Sequence, residues 1–214
     1  AEEFYKVLDR AVVRENAVSS SPVHRIPDDE CFNIIFTGNI GTAQGLEILP
    51  KTAELLKPDN IRFVIVGDGR YQKQFEGEIK HRGVEDKFVM IPRQPAEIIP
   101  ELLACCDAAF LSFMDTELFE KTIPAKLQSY MACGMPIIAA AKGETERLIK
   151  EAECEICVPI GDDKALASAI DWLRENMSVI ETMRKNSHKN YKNWFNKSNL
   201  MNEMDKYIIM QMKW

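Results

Sequence analysis

The 214-residue sequence lacks the features of several classes of protein. It has no uninterrupted apolar run of about 18 residues, and its first ten residues, AEEFYKVLDR, lack the basic and apolar regions of a secretion signal. It has no run of Lys and Arg that could track phosphates, and its formal net charge is -6. Internal repeats and low-complexity tracts are also absent. We therefore expect a soluble, cytoplasmic protein that binds no nucleic acid.

The cysteine pattern argues against a disulfide framework and against a metal site. The six cysteines lie mostly inside apolar runs, unlike the spaced cysteines of small secreted proteins. Cys154 and Cys157 have the spacing of a redox motif or of half a zinc site, but no second Cys/His pair would complete a tetrahedral site. The pair also falls in a predicted strand, whereas a redox thiol is expected at a helix start. We expect reduced, structural thiols.

Apolar residues make up 46% of the chain, which is enough to fill a buried core. Six short runs are nearly continuous in Ile, Val, Phe and Ala, as in parallel strands covered by helices on both faces. Their alternation with helical segments predicts an α/β fold over residues 32–175, a Rossmann-like doubly wound parallel sheet of about six strands. The runs are FNIIFTG from residue 32, IRFVIVG from 61, KFVMIP from 87, DAAFLSF from 107, MPIIAAA from 135 and CEICVPI from 154.

Two of the predicted helices contain proline. Pro50 stands inside the segment 46–56, and it predicts a kink or a late helix start because proline cannot donate the helical hydrogen bond. Pro100 falls in the first turn of the segment 97–106, where the N–H has no helical partner anyway. Further helices are predicted at 71–82 and 125–133.

The two ends of the chain differ in character from its centre. Residues 1–31 are predicted to be a helical segment and a linker, from the boundary with a missing N-terminal domain. Residues 176–214 are predicted to be helical, and the last segment places Met201, Met204, Ile208 and Met212 on one face. This stripe packs either on the same domain or toward the missing one.

In an open α/β sheet, ligands bind beyond the carboxyl ends of the strands. The first run is followed by a glycine-rich loop, residues 38–45, that is predicted to open a helix. Glycines let a backbone approach an anion, and free N–H groups at a helix N-terminus favour phosphate. The loop matches neither the dinucleotide fingerprint nor the Walker loop, so ordinary turn chemistry remains an alternative. After the second run, Asp68 in the turn 67–70 either contacts a ligand or caps the next helix.

A polar loop, residues 114–122, follows the fourth run and brings carboxylates and lysine to the same edge. In the helix after it, Lys126, Ser129 and Cys133 share a face beside the core-facing stripe. Lys126 lies near the helix start, where it either meets an anion or is an ordinary solvated lysine. Glu144 and Glu146 open the next helix, where negative charge is favourable to the helix dipole.

Residues 123–146, IPAKLQSYMACGMPIIAAAKGETE, resemble the donor-site segment of the retaining glycosyltransferases of family 4 (glycosyl transferases group 1), two-domain enzymes of the GT-B fold. The strongest matches are Met-Ala-Cys-Gly at 131–134, Pro-Ile-Ile-Ala at 136–139 and Lys-Gly-x-x-Glu at 142–146. FTGNIGTAQGLEIL in the first run and VIVGDGRYQKQFE in the second support the resemblance. In this family the C-terminal domain holds the nucleotide sugar, and the N-terminal domain supplies the acceptor site.

The resemblance implies which residues bind the donor. The loop 38–45 faces the diphosphate, Arg93 borders the base, Lys126 approaches phosphate and Ser129 faces the ribose. Glu120 and Lys126 are the candidate catalytic residues. The predicted donor-binding residues are Gly38, Asn39, Gly41, Thr42, Gln44, Gly69, Arg93, Lys126, Ser129 and Glu146.

The sequence departs from the family pattern at two places. Asn39 and Gln44 stand where many members have Arg and Lys. The family's two glutamates, seven residues apart, align without a gap to Lys121 and Ser129, which are not acidic. A shift of one residue in the loop would let Glu120 replace the first glutamate.

The resemblance implies a function as well as a fold. It predicts transfer of a glycosyl group, with retention, from a UDP-sugar to an acceptor glycan or lipid-linked sugar in cell-surface polysaccharide synthesis. The acceptor and any contact with the inner membrane face would involve the missing domain. No metal or other cofactor is expected, because helix N–H groups and Lys126 can supply the positive field at the diphosphate. Two alternatives remain open: a UDP-sugar epimerase of the same fold, and a non-catalytic nucleotide-binding module.

Overall fold

A computed structural model describes residues 10–57, 60–195 and 197–211. Its centre is a six-stranded parallel sheet with the strand order β3-β2-β1-β4-β5-β6. The order runs outward from β1 in both directions, which defines a doubly wound sheet with its switch point between β1 and β4. All six predicted strands are therefore confirmed. Their bounds are β1 Phe32–Thr37, β2 Ile61–Val66, β3 Phe88–Ile91, β4 Ala108–Ser112, β5 Ile137–Ala140 and β6 Glu155–Val158.

The four inner strands are buried at every position. In β1, Ile34 and Phe36 point into one core cluster, while Ile35 points into the other on the opposite face. Alternate residues of a strand face opposite sides of a sheet, so a run that is apolar throughout fits a sheet with helices on both sides. The register pairs Phe32 with Ile61 and Thr37 with Val66, which brings the carboxyl ends of β1 and β2 level.

Helices cover both faces of this sheet, as the alternation of runs predicts. Short 3-10 turns lie at Pro22–Arg25, Thr42–Gln44 and Glu85–Lys87. The described α-helices are α1 Arg10–Asn16, α2 Ile48–Leu55, α3 Gln72–Arg82, α4 Ile99–Ala104, α5 Glu117–Glu120, α6 Ala125–Ala132, α7 Glu144–Glu151, α8 Asp163–Glu175, α9 Met177–Trp194 and α10 Lys197–Gln211.

The two prolines lie in first turns. Helix α2 begins at Ile48 and not at residue 46, so Pro50 is its third residue and leaves no helical hydrogen bond unmade. Pro100 is the second residue of α4, as predicted.

A network of polar side chains holds the amino ends of the inner strands together. Arg62 of β2 donates to both carboxylate oxygens of Asp29, at 3.0 and 2.6 Å, and to Oδ1 of Asn33 at 3.1 Å. This guanidinium holds the pKa of the Asp29 carboxyl well below its usual range. Asp107, just before β4, accepts from the backbone N–H of Asn33 at 2.8 Å. The network lies at the sheet edge opposite the carboxyl ends, so its role is to stabilise the fold.

The C-terminal helices divide into one that packs on this domain and one that does not. Helix α9 buries Ile180 and Met183 and lies against α6. In α10, by contrast, Met201, Met204 and Ile208 are 47%, 56% and 48% exposed. Of the two alternatives for this stripe, packing on the same domain is not seen for these three residues, and packing toward a second domain stays a prediction. Met212 lies outside the described residues. Within the described ranges, no helix has the length and apolar character needed to cross a membrane.

Candidate functional site

A cleft of about 930 Å3 opens at the carboxyl ends of β1 and β2, beside the switch point. Its walls come from the residues that follow β1, β2 and β3, from the first turns of α4, from one face of α6 and from α9. Five predicted site residues line it: Gly38, Asn39, Arg93, Lys126 and Ser129. The cleft therefore lies where a doubly wound sheet binds ligands, and it unites the β1 loop with the face of α6.

Helix α6 is fixed against the end of β1 by Tyr130. This side chain is fully buried, and its hydroxyl oxygen accepts a hydrogen bond from the Thr37 backbone N–H at 2.9 Å. The hydroxyl of Thr37 also donates to the Tyr130 oxygen, at 3.3 Å. Burial raises the pKa of Tyr130 to about 12, so the phenol stays neutral. One turn earlier on the same helix is Lys126, whose position this contact sets.

Lys126 is a half-buried cation in the wall of the cleft. Its Nζ donates to Oε1 of Gln44 and lies 4.0 Å from the centre of the Phe36 ring. The Phe113 ring is 5.8 Å away, so the ammonium group has aromatic faces and one amide oxygen as its close neighbours. Burial lowers the pKa of Lys126 to about 7. No carboxylate pairs with this lysine in the described part of the chain, so its charge is available to an anionic ligand.

The start of α6 adds backbone dipoles to this charge. Pro124 occupies the N-cap position, and no side chain accepts from the first-turn N–H groups. Ala125 and Lys126, the first two helical residues, both line the cleft. Because first-turn N–H groups have no partner inside the helix, they and the Lys126 ammonium favour negative charge at the same end of the cleft.

Hydrogen bonds on both sides fix the glycine-rich loop. Toward β2, Gly38 N–H donates to Val66 O at 2.9 Å and Ile40 N–H donates to Asp68 O at 2.6 Å. Toward β4, the Ser112 hydroxyl donates to Gln44 O at 2.5 Å. The loop opens a 3-10 turn of three residues and not the helix that the sequence predicts, since α2 begins only at Ile48. No described residue of α2 lines the cleft.

The turn after β2 packs directly against that loop. A Cβ at Gly69 would come within 2.2 Å of Ile40 O and 2.6 Å of Asn39 Oδ1. Gly69 thus allows the two turns to approach, and it does not itself line the cleft. Asp68 does line it, and the alternative role as a helix cap is wrong, because α3 begins after Tyr71 and has no side-chain cap.

The remaining predicted residues lie outside the cleft lining. Gly41 and Thr42 belong to the loop and its 3-10 turn, and Gln44 contributes through its contact with Lys126. The other two, Glu120 and Glu146, lie on α5 and α7.

Glu120 ends α5, where its backbone lies against Gly143: a Cβ at Gly143, which has φ +69°, would meet Glu120 O at 2.1 Å. Glu146 lies in the first turn of α7, as predicted, and forms an ion pair with Lys150 at 2.5 Å.

Several cleft residues escaped prediction from the sequence. Thr37 ends β1 and Gln94 follows β3, so the rule that selected the loops could have found them. Gln94 Nε2 donates to Pro92 O at 2.8 Å, which holds its amide at the cleft edge. Tyr191 of α9 has no such local signal, because only the packing of α9 on α6 brings it to the cleft.

The cysteine prediction agrees with the structure. Cys154 is fully buried before β6, and Cys157 is half-buried within it. All six cysteines are free, and burial raises the pKa of both Cys154 and Cys157 to about 12. Neither thiol is activated for redox chemistry.

The fold and the cleft define a doubly wound α/β domain with a cleft beside its switch point, and its sequence matches a known family. The profile of the family described as glycosyl transferases group 1 matches residues 21–194. The chain therefore belongs to the glycosyl transferases group 1 family.

Two curated relatives carry glycosyltransferase names. The probable glycosyltransferase WbjE of Pseudomonas aeruginosa is 30% identical over 145 residues, which are 65% of this chain and 35% of the relative. The putative colanic acid biosynthesis glycosyl transferase WcaI of Escherichia coli K12 is 30% identical over 121 residues, 56% of this chain and 29% of the relative. The chain thus spans only about a third of the length of these relatives.

Solved structures of glycosyltransferases share the fold. The Anabaena protein HepE in complex with UDP superposes with a TM-score of 0.80 at 17% identity, covering 96% of this chain and 55% of that one. The C-terminal domain of LpcC, a group 1 glycosyl transferase from Francisella tularensis, gives a TM-score of 0.68 at 16% identity, covering 88% of this chain and 98% of that domain. The predicted fold, one half of a GT-B glycosyltransferase, is confirmed.

Proposed function

We propose that this chain is the donor-binding part of a glycosyltransferase and that its cleft holds a nucleoside-diphosphate sugar, a UDP-sugar in the first instance. The observation that carries the proposal is the position of Lys126 in the first turn of α6, at the carboxyl edge of the sheet and beside the Gly38 backbone. A Cβ built on Gly38 would lie 3.6 Å from Lys126 Nζ, so the Gly38 backbone and the ammonium group are close enough for one phosphate to contact both. The proposal also draws on HepE, which was crystallised with UDP-glucose.

Lys126 and the α6 amides would act on the leaving group. In glycosyl transfer, the bond from the anomeric carbon to the diphosphate oxygen breaks, and a bond to the acceptor oxygen forms. The diphosphate leaves with the bonding electrons, and the acceptor hydroxyl loses its proton. Positive charge placed where the negative charge develops stabilises this transition state. No metal ion is required by this arrangement, so we expect donor binding to persist in a chelator.

Glu120 is the proposed contact to the sugar. The close approach of Gly143 fixes the Glu120 backbone at the end of α5, in the connection between β4 and α6. Ser129, which lines the cleft one turn after Lys126, offers a hydroxyl to the ribose where the family pattern has a carboxylate. The donor would therefore be held with one carboxylate fewer than the family pattern supplies.

The acceptor, the linkage and retention of configuration belong to the whole protein. We propose that an acceptor glycan or lipid-linked sugar binds to a second domain and that the product enters a cell-surface polysaccharide, in line with the name of WcaI as a putative colanic acid biosynthesis glycosyl transferase. The exposed apolar residues of α10, including Met204 and Ile208, would pack against that domain.

Calorimetry with UDP, GDP and their sugars tests the donor site directly. We expect at least one of them to bind the 214-residue chain at millimolar concentration or below, and Lys126→Ala to weaken the diphosphate at least about fivefold while leaving the nucleoside unchanged. Lys121→Ala is the matched control, because Lys121 is 72% exposed, pairs with Glu117 and lies outside the cleft. An absence of binding by every nucleotide would end the proposal.

A further inference from the structure

Helix α9 has one buried face. Ile180, Met183 and Ser187 are buried and are spaced three and four residues apart. The next position in this series is Tyr191, one turn further along. In an α-helix such positions fall on one face, so Tyr191 projects in the same direction as the buried residues.

The contact between the two helices places Tyr191 at the cleft. The Nδ1 of His188 donates to the carbonyl of Ala132, the last residue of α6, at 3.1 Å. Tyr191 follows this contact by one turn of α9. Tyr191 is consequently half-buried and lines the cleft.

The Tyr191 ring is supported from behind. Its centre lies 6.4 Å from that of Phe195, at an interplanar angle of 38°, and both rings pack against the core cluster on this face of the sheet. Ile99 and Leu103 of α4 line the same cleft and belong to or pack against the same core cluster. A supported aromatic ring among apolar neighbours forms a flat and uncharged surface.

This surface and the cationic end lie at opposite ends of one helix. Lys126 lies in the first turn of α6, and Cys133 follows its last residue, so the two positions are separated by about 10 Å along the axis. Ser129 lies between them. The cleft therefore offers an anion site, then a hydroxyl, then a flat apolar surface, in that order.

We propose that Tyr191 is the base-stacking residue of this cleft, an inference that rests on the proposed donor-binding function. The nucleobase of the donor stacks on the Tyr191 ring while its diphosphate is held at Lys126. Stacking on a tyrosine requires only a π face, so Tyr191 contributes affinity for the nucleoside without selecting one base. A sugar phosphate that lacks a base would gain nothing from it.

Three ligands separate the two ends of the cleft. UDP, uridine and inorganic pyrophosphate are titrated into the 214-residue chain and its variants by calorimetry, with saturation-transfer NMR for the weak ligands. We expect Tyr191→Ala to weaken UDP and uridine by a similar factor, about five- to a hundredfold, and to leave pyrophosphate unchanged. Lys126→Ala should do the reverse, weakening UDP and pyrophosphate but not uridine.

Two further variants isolate the ring from its hydroxyl and from its volume. Tyr191→Phe should bind UDP within about twofold of the unaltered chain if the ring carries the contact. Tyr191→Leu keeps apolar volume without a ring, so it should lose uridine binding while its melting temperature shows that it folds, even if Tyr191→Ala does not fold. Tyr207→Ala is the matched control, because Tyr207 is 65% exposed on α10 and lies outside the cleft.

The outcomes distinguish the two proposals. If the unaltered chain binds none of the three ligands, the donor-binding function itself fails. If it binds UDP, but a folded Tyr191→Ala or Tyr191→Leu variant binds UDP and uridine as before, Tyr191 is only a packing residue. Equal weakening of uridine and pyrophosphate would also overturn the assignment, since it would indicate a general distortion of the cleft.

Discussion

At the scale of single residues, Lys126 combines charge and burial at one point of the cleft. Its ammonium group is half-buried between aromatic rings, which is why its pKa falls to about 7, and it contacts Gln44 where many family members have a second cation. A second lysine at this position would lower the pKa of Lys126 further by repulsion. The amide of Gln44 is neutral, so it adds no repulsion, and its Oε1 accepts a hydrogen bond from the Lys126 ammonium group.

The lowered pKa of Lys126 predicts that UDP binding depends on pH. Below about pH 7 the lysine of the free chain is protonated and attracts the diphosphate; as the pH rises through 7 this charge is lost and binding must take up a proton. We expect the dissociation constant of UDP to rise on the order of tenfold between about pH 7 and pH 8.5. Calorimetric titrations of UDP at several pH values measure this change.

Lys126→Arg is the matched control for this prediction. Arginine keeps its charge over the whole pH range, so the dissociation constant of the Lys126→Arg variant for UDP should not change with pH. A pH profile of the unaltered chain as flat as that of the arginine variant would show that Lys126 does not titrate with the ligand.

At the scale of elements, the position of α6 depends on one buried phenol. Tyr130 accepts hydrogen bonds from the backbone N–H and the hydroxyl of Thr37, and the same helix carries Lys126 and Ser129 into the cleft. The contact joins the end of β1 to the middle of α6, so it couples the glycine-rich loop to the cationic wall.

Removing this hydroxyl should therefore affect stability and binding together. Tyr130→Phe leaves the buried Thr37 N–H without its acceptor, which typically costs about 1–3 kcal/mol in the free energy of unfolding. We also expect weaker UDP binding, because α6 is no longer held to β1. Denaturant unfolding and calorimetry measure the two effects. Tyr207→Phe, at an exposed position of α10, should change neither, and an unaltered free energy of unfolding in Tyr130→Phe would contradict the coupling.

The elements also show what sequence reasoning could and could not recover. The strands of the sheet were predictable because each is a continuous apolar run, and α6 was predictable because Leu127, Tyr130 and Met131 repeat at helical spacing. The 3-10 turn at Thr42–Gln44 was missed, because glycine-rich loops give no local signal for where a helix begins. The Lys126 contact with Gln44 joins residues 82 positions apart, and only the assembled sheet brings them together.

At the scale of the whole molecule, the proposed function gives the chain one side of a reaction that has two substrates. It covers about a third of the curated relatives and almost all of the LpcC domain. The proposed donor cleft is lined by described residues of this chain, whereas the acceptor is proposed to bind to a second domain.

This division predicts binding without turnover. Incubated with a UDP-sugar, the 214-residue chain should bind it but release no free sugar or transferred product, and a full-length protein given an acceptor should form product with the anomeric configuration of the donor retained. Proton NMR of the anomeric signal measures both. Transfer by this chain alone would refute the division, and sugar interconversion by the full-length protein without acceptor would favour an epimerase.

The cleft draws its walls from Thr37 near the beginning of the domain to Tyr191 near its end. During synthesis, the glycine-rich loop and α6 emerge long before α9, so a chain interrupted before residue 191 has the phosphate end of the pocket but not its far wall. The affinity for ligand should therefore reach its full value only after α9 has docked, and a bound nucleotide would favour the state in which α9 is docked over the state in which it is detached. Full-affinity nucleotide binding would then report completed folding, because only a chain whose α9 has been synthesised and docked can hold the ligand with that affinity.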